Sequence, residues 1–173
     1  MKKIALVVAA ALSPASAAAE VKSSSLTHFE VESSATVAAT PAEAYAMLGR
    51  IGEWWNKDHT YSGDAANLSL ELRAGGCFCE RLPKENGVIE HLRVVSARPG
   101  QLLRLQGGLG PLQAEAVAGT FTWTLKAAPG GTIVTQNYAV AGRVRMGMEK
   151  LAPLVDQVLV EQLSGLQKRL SGK

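Results

Sequence analysis

Glu80 and His91 are the residues of this chain whose types and spacing best suit proton chemistry. They fall on consecutive strands joined by a turn from Pro83 to Gly87, so the register across that turn decides whether they meet. With Arg81 opposite Glu90, opposite charges pair and Glu80 faces His91; a slip of one residue sets Cys79 against His91 and Glu80 against Glu90. Directly opposed carboxylates repel, which favours the first register. A Glu80/His91 pair turned inward can orient a ligand or relay a proton, with Tyr61 as a nearby donor. The alternative is a cross-strand polar pair that serves structure alone.

A second concentration of functional side chains lies between Trp54 and Asn67, where Trp54, Trp55, His59, Tyr61, Asp64 and Asn67 crowd into one loop of a chain that is only 5% aromatic. Asp and Asn in such a stretch make turns. The aromatic density points either to an ordered surface loop or to a loop closing over something apolar. His28 falls on the polar face of the first strand and is expected to be exposed.

Cys77 and Cys79 are the two cysteines. On an extended strand they point to one face with Cα atoms about 7 Å apart, at the limit for a disulfide. Three readings stand: a disulfide, a metal site with His91, or two reduced thiols packed as small hydrophobes, the last being preferred. The metal reading needs the disfavoured register and a fourth ligand, so no metal is expected. There is no Gly-x-Ser-x-Gly elbow, Walker loop or His-Glu-x-x-His pair, and Gly107, Gly108 and Gly110 lack the Lys-Ser/Thr of a phosphate loop. No cofactor is expected.

The elements that must position these residues follow from patterning. Lys2 and Lys3, an apolar run from Ile4 to Leu12 and small residues to Ala19 read as a secretory signal over residues 1–19, too short to span a bilayer. Its removal lowers the formal charge from +3 to about +1, so the basic balance gives no sign of a nucleic-acid partner. Export, to a periplasm or beyond the cell, without membrane insertion is the expectation. Residues 20–26 show no pattern and read as a flexible lead-in to one domain over residues 27–173.

Alternation from Phe29 to Val37 predicts a strand. Thr40-Pro41-Ala42-Glu43 is a capping box with Pro at the first helical position, so a helix runs from Pro41 to about Arg50 with Tyr45, Leu48 and Ile51 inward. Strands are then expected over Leu68 to Arg73, Cys77 to Leu82, Val88 to Ala97, Gln101 to Gln106, Thr120 to Lys126 and Thr132 to Ala141, punctuated by Gly and Pro turns. Leu151, Val155, Val158, Leu159, Leu166 and Leu170 form a helical stripe in the last segment, which Pro153 either opens or kinks. The fold class is α+β: a curved antiparallel sheet of about seven strands, two short helices and a long C-terminal helix covering it.

The sequence "TPAEAYAMLGRIGEWW", followed by "GGCFCERLP", "HLRVVSARPGQLLRL", a threonine-rich strand and the leucine-rich C-terminal segment, resembles the SRPBCC superfamily over roughly residues 27–170. That superfamily shares the helix-grip fold and includes START lipid-transfer domains, polyketide cyclases, birch-type pollen allergens and activators of chaperone ATPases. Trp54-Trp55 matches the position where many relatives carry a Trp after the first helices, and Gly75-Gly76 to Glu80 resembles the Gly-Gly-x-x-x-Glu hairpin of the chaperone-activator branch. "HTYSGDAANLSL" and "GGLGPLQ" match no motif of the superfamily. The resemblance implies a cavity between sheet and helix, with Phe78, Trp123 and Tyr138 joining Trp54, Trp55, His59 and Tyr61 as ligand contacts. The expected function is binding or carriage of a small hydrophobic or amphipathic ligand, such as a lipid, polyketide or aromatic metabolite. The alternative is a polyketide cyclase- or hydrolase-type enzyme with Glu80, His91 and Tyr61 as catalytic residues. A chaperone-activating role is disfavoured, because export separates the chain from the cytosol.

Overall fold

The computed structural model describes residues 18–172, so the export signal expected over residues 1–19 lies outside the described residues but for its last two positions. Eight antiparallel strands form one curved sheet: β1 (Ala18–Ser24), β2 (His28–Val37), β3 (Leu68–Leu70), β4 (Cys77–Leu82), β5 (Gly87–Arg98), β6 (Leu102–Gln106), β7 (Ala116–Ala128) and β8 (Gly131–Arg143). Their order across the sheet is β1-β2-β8-β7-β6-β5-β4-β3. From β3 to β8 the chain is a meander; β2 closes beside β8 and pairs with it from His28↔Ala141 to Val37↔Thr132.

Helix α1 (Pro41–Gly49) leaves β2 through the expected capping box: the Glu43 N–H donates to Thr40 Oγ1 at 3.3 Å and the Thr40 N–H donates to Glu43 Oε2 at 2.8 Å. Tyr45, Leu48 and Ile51 are buried. Instead of a second short helix, three single 3-10 turns carry the chain to β3. The side chains of Asn56 and Asp64 cap two of them by accepting the N–H groups of Asp58 and Ala66, and such local bonds compete with a continuous helix.

Helix α2 (Met148–Leu170) lies across the sheet, packed on β1 and β2. Met148, Ala152, Leu159, Gln162, Leu163 and Leu166 are its buried residues. Pro153 neither opens nor ends it; it sits in the second turn, where it forfeits the bond to the Glu149 carbonyl. Among the described residues no helix is long and apolar enough to cross a membrane.

Two expectations are corrected. The sheet has eight strands, because residues 20–26 are not a lead-in: Ala18–Ser24 pairs with β2 from Ala18↔Ser34 to Ser24↔Phe29. Backbone pairing along the free edge of β2 holds this strand, and such pairing needs no apolar alternation to mark it. The helical stripe also divides. Leu159 and Leu166 enter the core, while Leu151, Val155 and Val158 stay partly exposed and face a cavity.

Candidate functional site

A cavity of about 550 Å³ lies between the sheet and the first half of α2. Phe78 of β4, His91 of β5 and Tyr138 of β8 supply its sheet side; Leu151, Val155, Val158 and Leu159 supply the helix side. Its rim is built from Trp55 and the turn Asp58 to Tyr61, from Leu109 to Leu112, and from Val144 to Met146. The wall is predominantly apolar, as in small-molecule sites generally.

The Glu80/His91 pair forms, but by neither register expected for it. Cys77 faces Arg93 and Phe78 faces Leu92; the register then shifts, so that Cys79 faces Glu90 and Glu80 faces Ile89. His91 is the extra residue at this bulge. His91 and Leu92 are consequently both buried, although neighbours in a regular strand point to opposite faces. The bulge turns His91 Nε2 to within 2.9 Å of Glu80 Oε2. The bulge delivers the pair while leaving Cys79, not Glu80, opposite Glu90.

Glu80 is fully buried and accepts from three donors: the Tyr61 N–H at 3.1 Å, the Ser62 N–H at 2.5 Å and His91. Burial works against its charge, but the bonds from Ser62, Tyr61 and His91 outweigh that and hold the carboxyl below its usual range. Burial pushes His91 in the neutral direction against the opposing pull of Glu80. The result is an ionised carboxylate and a neutral imidazole whose Nε2–H donates to it, leaving Nδ1 as an acceptor. Nδ1 is buried and has no partner. The imidazole sits between two rings, Phe78 at 5.0 Å and Tyr61 stacked at 6.0 Å with a 26° tilt.

The Trp54-Trp55 pair separates. Trp55 reaches the cavity, packing edge-on to Phe78 at 5.4 Å, and its Nε1–H donates to the His59 carbonyl. Trp54, expected as a ligand contact, turns into the core: its Nε1–H donates to the Met47 carbonyl at 2.9 Å and its ring meets Trp123 edge-on at 6.3 Å. Trp123 is likewise buried in the core, bonded to Gln136 and outside the cavity wall. Adjacent residues in a tight turn project in different directions, which is why only one of the two tryptophans faces the cavity.

His59 and Tyr61 are on the rim. His59 Nε2 donates to Glu161 Oε2 at 2.8 Å, Asn56 donates its side-chain amide to the same carboxylate, and the Asn56 N–H donates to Gln162 Oε1. These bonds clip the rim turn onto α2. Tyr138 is the inner anchor of the opposite rim: its hydroxyl accepts the Leu109 N–H at 2.9 Å and donates to the Gly107 carbonyl at 3.0 Å, and burial drives its pKa up to about 12. His28 is exposed and bonded to Ser25.

Cys77 and Cys79 form a disulfide, correcting the preference for reduced thiols. Their Cα atoms are 5.3 Å apart, shorter than the extended-strand spacing of about 7 Å and within the range a disulfide spans. Among the described residues no group of three His, Cys, Asp or Glu side chains is placed to hold a metal ion. Sequence reasoning missed the walls from Leu109 to Leu112 and from Val144 to Met146, which lie in loops without periodicity. The helical stripe did signal Leu151, Val155 and Val158, but as core.

No family model matches the chain, and no curated protein matches it. Solved structures do. An uncharacterised protein from Rhizobium leguminosarum superposes with a TM-score of 0.62 at 17% identity, covering 91% of this chain and 99% of that one. Protein MLL2253 from Mesorhizobium loti gives 0.61 at 17% identity over 83% of this chain and 98% of that one. CalU16 from Micromonospora echinospora gives 0.57 at 14% identity over 84% and 76%. At such identities the likeness establishes architecture alone: this is an α+β protein of the helix-grip type, with a cavity between the sheet and the C-terminal helix.

Proposed function

We propose that the chain binds or carries a small hydrophobic or amphipathic molecule, such as a lipid, polyketide or aromatic metabolite, in the cavity between sheet and α2. The observation that carries this reading is the cavity itself, about 550 Å³ with mostly apolar walls, within the roughly 300–1,000 Å³ of small-molecule sites. The polar groups of Tyr138 and His59 that reach its wall are already bonded within the protein, which suits an occupant held chiefly by apolar contact. Export to the periplasm or beyond the cell is part of the proposal, and the Cys77–Cys79 disulfide supports it, since such bonds persist in oxidising compartments. Native mass spectrometry of the purified protein tests the reading. A co-purifying apolar molecule, or saturable uptake of the fluorescent probe 1-anilinonaphthalene-8-sulfonate, is expected; absence of both rejects it.

The Glu80–His91 contact favours a second reading, an enzyme of cyclase or hydrolase type. A carboxylate that orients a neutral imidazole is the arrangement of a general base, and the Tyr61 ring stacks on that imidazole. Turnover of a bound molecule that is lost in Glu80→Gln or His91→Ala supports this reading; binding with no chemical change of the occupant supports carriage alone.

A further inference from the structure

Removal of residues 1–19, the expected export signal, makes Glu20 the first residue of the chain. Its backbone nitrogen already has a charged partner: the Glu20 N–H donates to the carboxylate of Asp156 on α2. Among the described residues this is the one bond Asp156 accepts, and no cation pairs with it. Its Oδ1 is covered and has no partner. Burial pushes the carboxyl up and the Glu20 N–H pulls it back only in part, so a partly buried carboxylate ends on a neutral amide.

Positive charge is short throughout this end of the sheet. Glu20 lies opposite Glu32 in the β1/β2 pairing, and Lys22 Nζ reaches their carboxylates at 3.0 and 4.0 Å. With Asp156 the group holds three carboxylates and one lysine. Cutting the Ala19–Glu20 peptide bond supplies a charge at the very atom that Asp156 holds. The hydrolysis consumes one water, leaves a carboxylate on Ala19 and converts the Glu20 amide nitrogen into an ammonium with three hydrogens in place of one. One hydrogen keeps the existing bond while the charge answers the carboxylate, a stronger contact than a neutral amide makes. A cut at the other Ala-x-Ala position, after Ala17, leaves that nitrogen a neutral amide.

We infer that Asp156 is the receptor for the α-ammonium created by cleavage between Ala19 and Glu20, and that this ion pair ties β1 to α2 in the processed protein. The inference rests on the export reading above and deepens it, by naming the bond that is cut and the side chain that receives the new terminus. Ala18 and Ala19, which pair with Ser34 and Ser33, leave with the signal, while Glu20 to Ser24 keep their partners on β2. The shortened edge strand is then held at its first atom by the helix that also presents Val155 and Val158 to the cavity.

The test starts from the full-length chain expressed in a Gram-negative host. Periplasmic protein is expected to begin at Glu20 on N-terminal sequencing. Its α-amine is then titrated by the rate of acylation with N-hydroxysuccinimidyl acetate, read by peptide mass spectrometry. A free α-amine titrates near about 8; pairing with Asp156 is expected to raise that midpoint and to slow acylation about tenfold at about pH 7.5. In Asp156→Asn the α-amine is expected to regain the faster rate, while Lys22, whose partners are Glu20 and Glu32, reacts as before. The midpoint in the natural protein needs no variant. An ordinary midpoint there, or equal α-amine rates in the natural protein and Asp156→Asn, overturns the inference. Periplasmic protein beginning at another residue also overturns it and leaves export standing. A chain retained in the cytosol with residues 1–19 intact overturns the export reading, and the inference falls with it.

Discussion

Glu80 and His91 are not cross-strand partners, yet their side chains meet at 2.9 Å because the β4/β5 register shifts between Phe78 and Cys79. The bulge makes His91 an extra residue on β5 and turns it toward the same side as Leu92. The carboxylate then joins three elements: the rim turn through the N–H groups of Tyr61 and Ser62, β5 through His91, and its own strand. One buried side chain therefore sets both the imidazole and the loop over the cavity.

Removing that carboxylate strands several donors at once. Glu80→Ala is expected to cost about 3–5 kcal/mol, because three donors lose their acceptor at about 1–3 kcal/mol each. Glu80→Gln keeps the shape and one strong acceptor and is expected to cost roughly 1–3 kcal/mol. Urea unfolding followed by tryptophan fluorescence measures both; a loss below 1 kcal/mol for the alanine variant shows that the carboxylate does not hold the loop.

The pair also makes stability depend on pH, with one sign for both groups. His91 titrates below the ordinary 6.5 when folded, and Glu80 below the ordinary 4.5. In each case the unfolded chain binds the proton more readily, so acid favours unfolding. Their contribution is complete above about pH 6.5. It declines first as the unfolded-state imidazole charges, and further below about pH 4.5 as the carboxylate is protonated. Unfolding free energies measured from pH 8 to 4 are expected to fall in this way, and His91→Phe to lack the decline between pH 7 and 5. An unchanged decline in that variant assigns it to other groups.

The two neighbouring tryptophans should separate stability from binding. Trp54 is a core residue bonded to Met47 and packed on Trp123, whereas Trp55 shares the cavity wall with Phe78. Each Trp→Ala substitution is expected to cost about 3–5 kcal/mol. Only Trp55→Ala is expected to weaken binding of an apolar probe as well, by more than fivefold in the folded fraction. Equal effects on probe affinity would mean that both rings, or neither, meet the ligand.

What the sequence makes legible is whatever has a local cause. The Thr40/Glu43 box, the alternation of β2, the bounds of β4 and the amphipathic stripe of α2 are each written in a few adjacent residues. β1 escapes notice because Val21 stands between Glu20 and Lys22, and backbone pairing rather than an apolar face holds it. The bulge at His91 is a property of two strands packed together, so no reading of either strand alone finds it. Residues Leu109 to Leu112 line the cavity because the Tyr138 hydroxyl pins their loop from 29 positions away, a relation with no local trace.

Cys77 and Cys79 give a direct check on the chemistry of β4. The purified protein should show no free thiol before reduction and gain two hydrogens after it. The closed loop is only three residues long, so chain entropy assigns the bond about 1–2 kcal/mol. The double substitution to serine is expected to lower stability by that amount. Titration of two thiols in the protein isolated without reductant contradicts the bond.

Gly165 tests how α2 is seated. In an exposed helix Gly→Ala is stabilising by roughly 0.5–1 kcal/mol, because it restricts the unfolded chain and improves helix propensity. Here a Cβ at position 165 would stand 2.3 Å from the Trp54 carbonyl oxygen, which is backbone and cannot rotate away. The helix must therefore lift from the turn that leads through Trp55 to the clip of Asn56 and His59 on Glu161. The expected sign is inverted: Gly165→Ala destabilises by about 1–3 kcal/mol, as overpacking does, and loosens probe binding because α2 and the rim turn form opposite sides of one cavity. Thermal unfolding decides the first point and probe titration the second. A Gly165→Ala protein that melts higher than the natural chain would show that the helix does not rest on the Trp54 backbone.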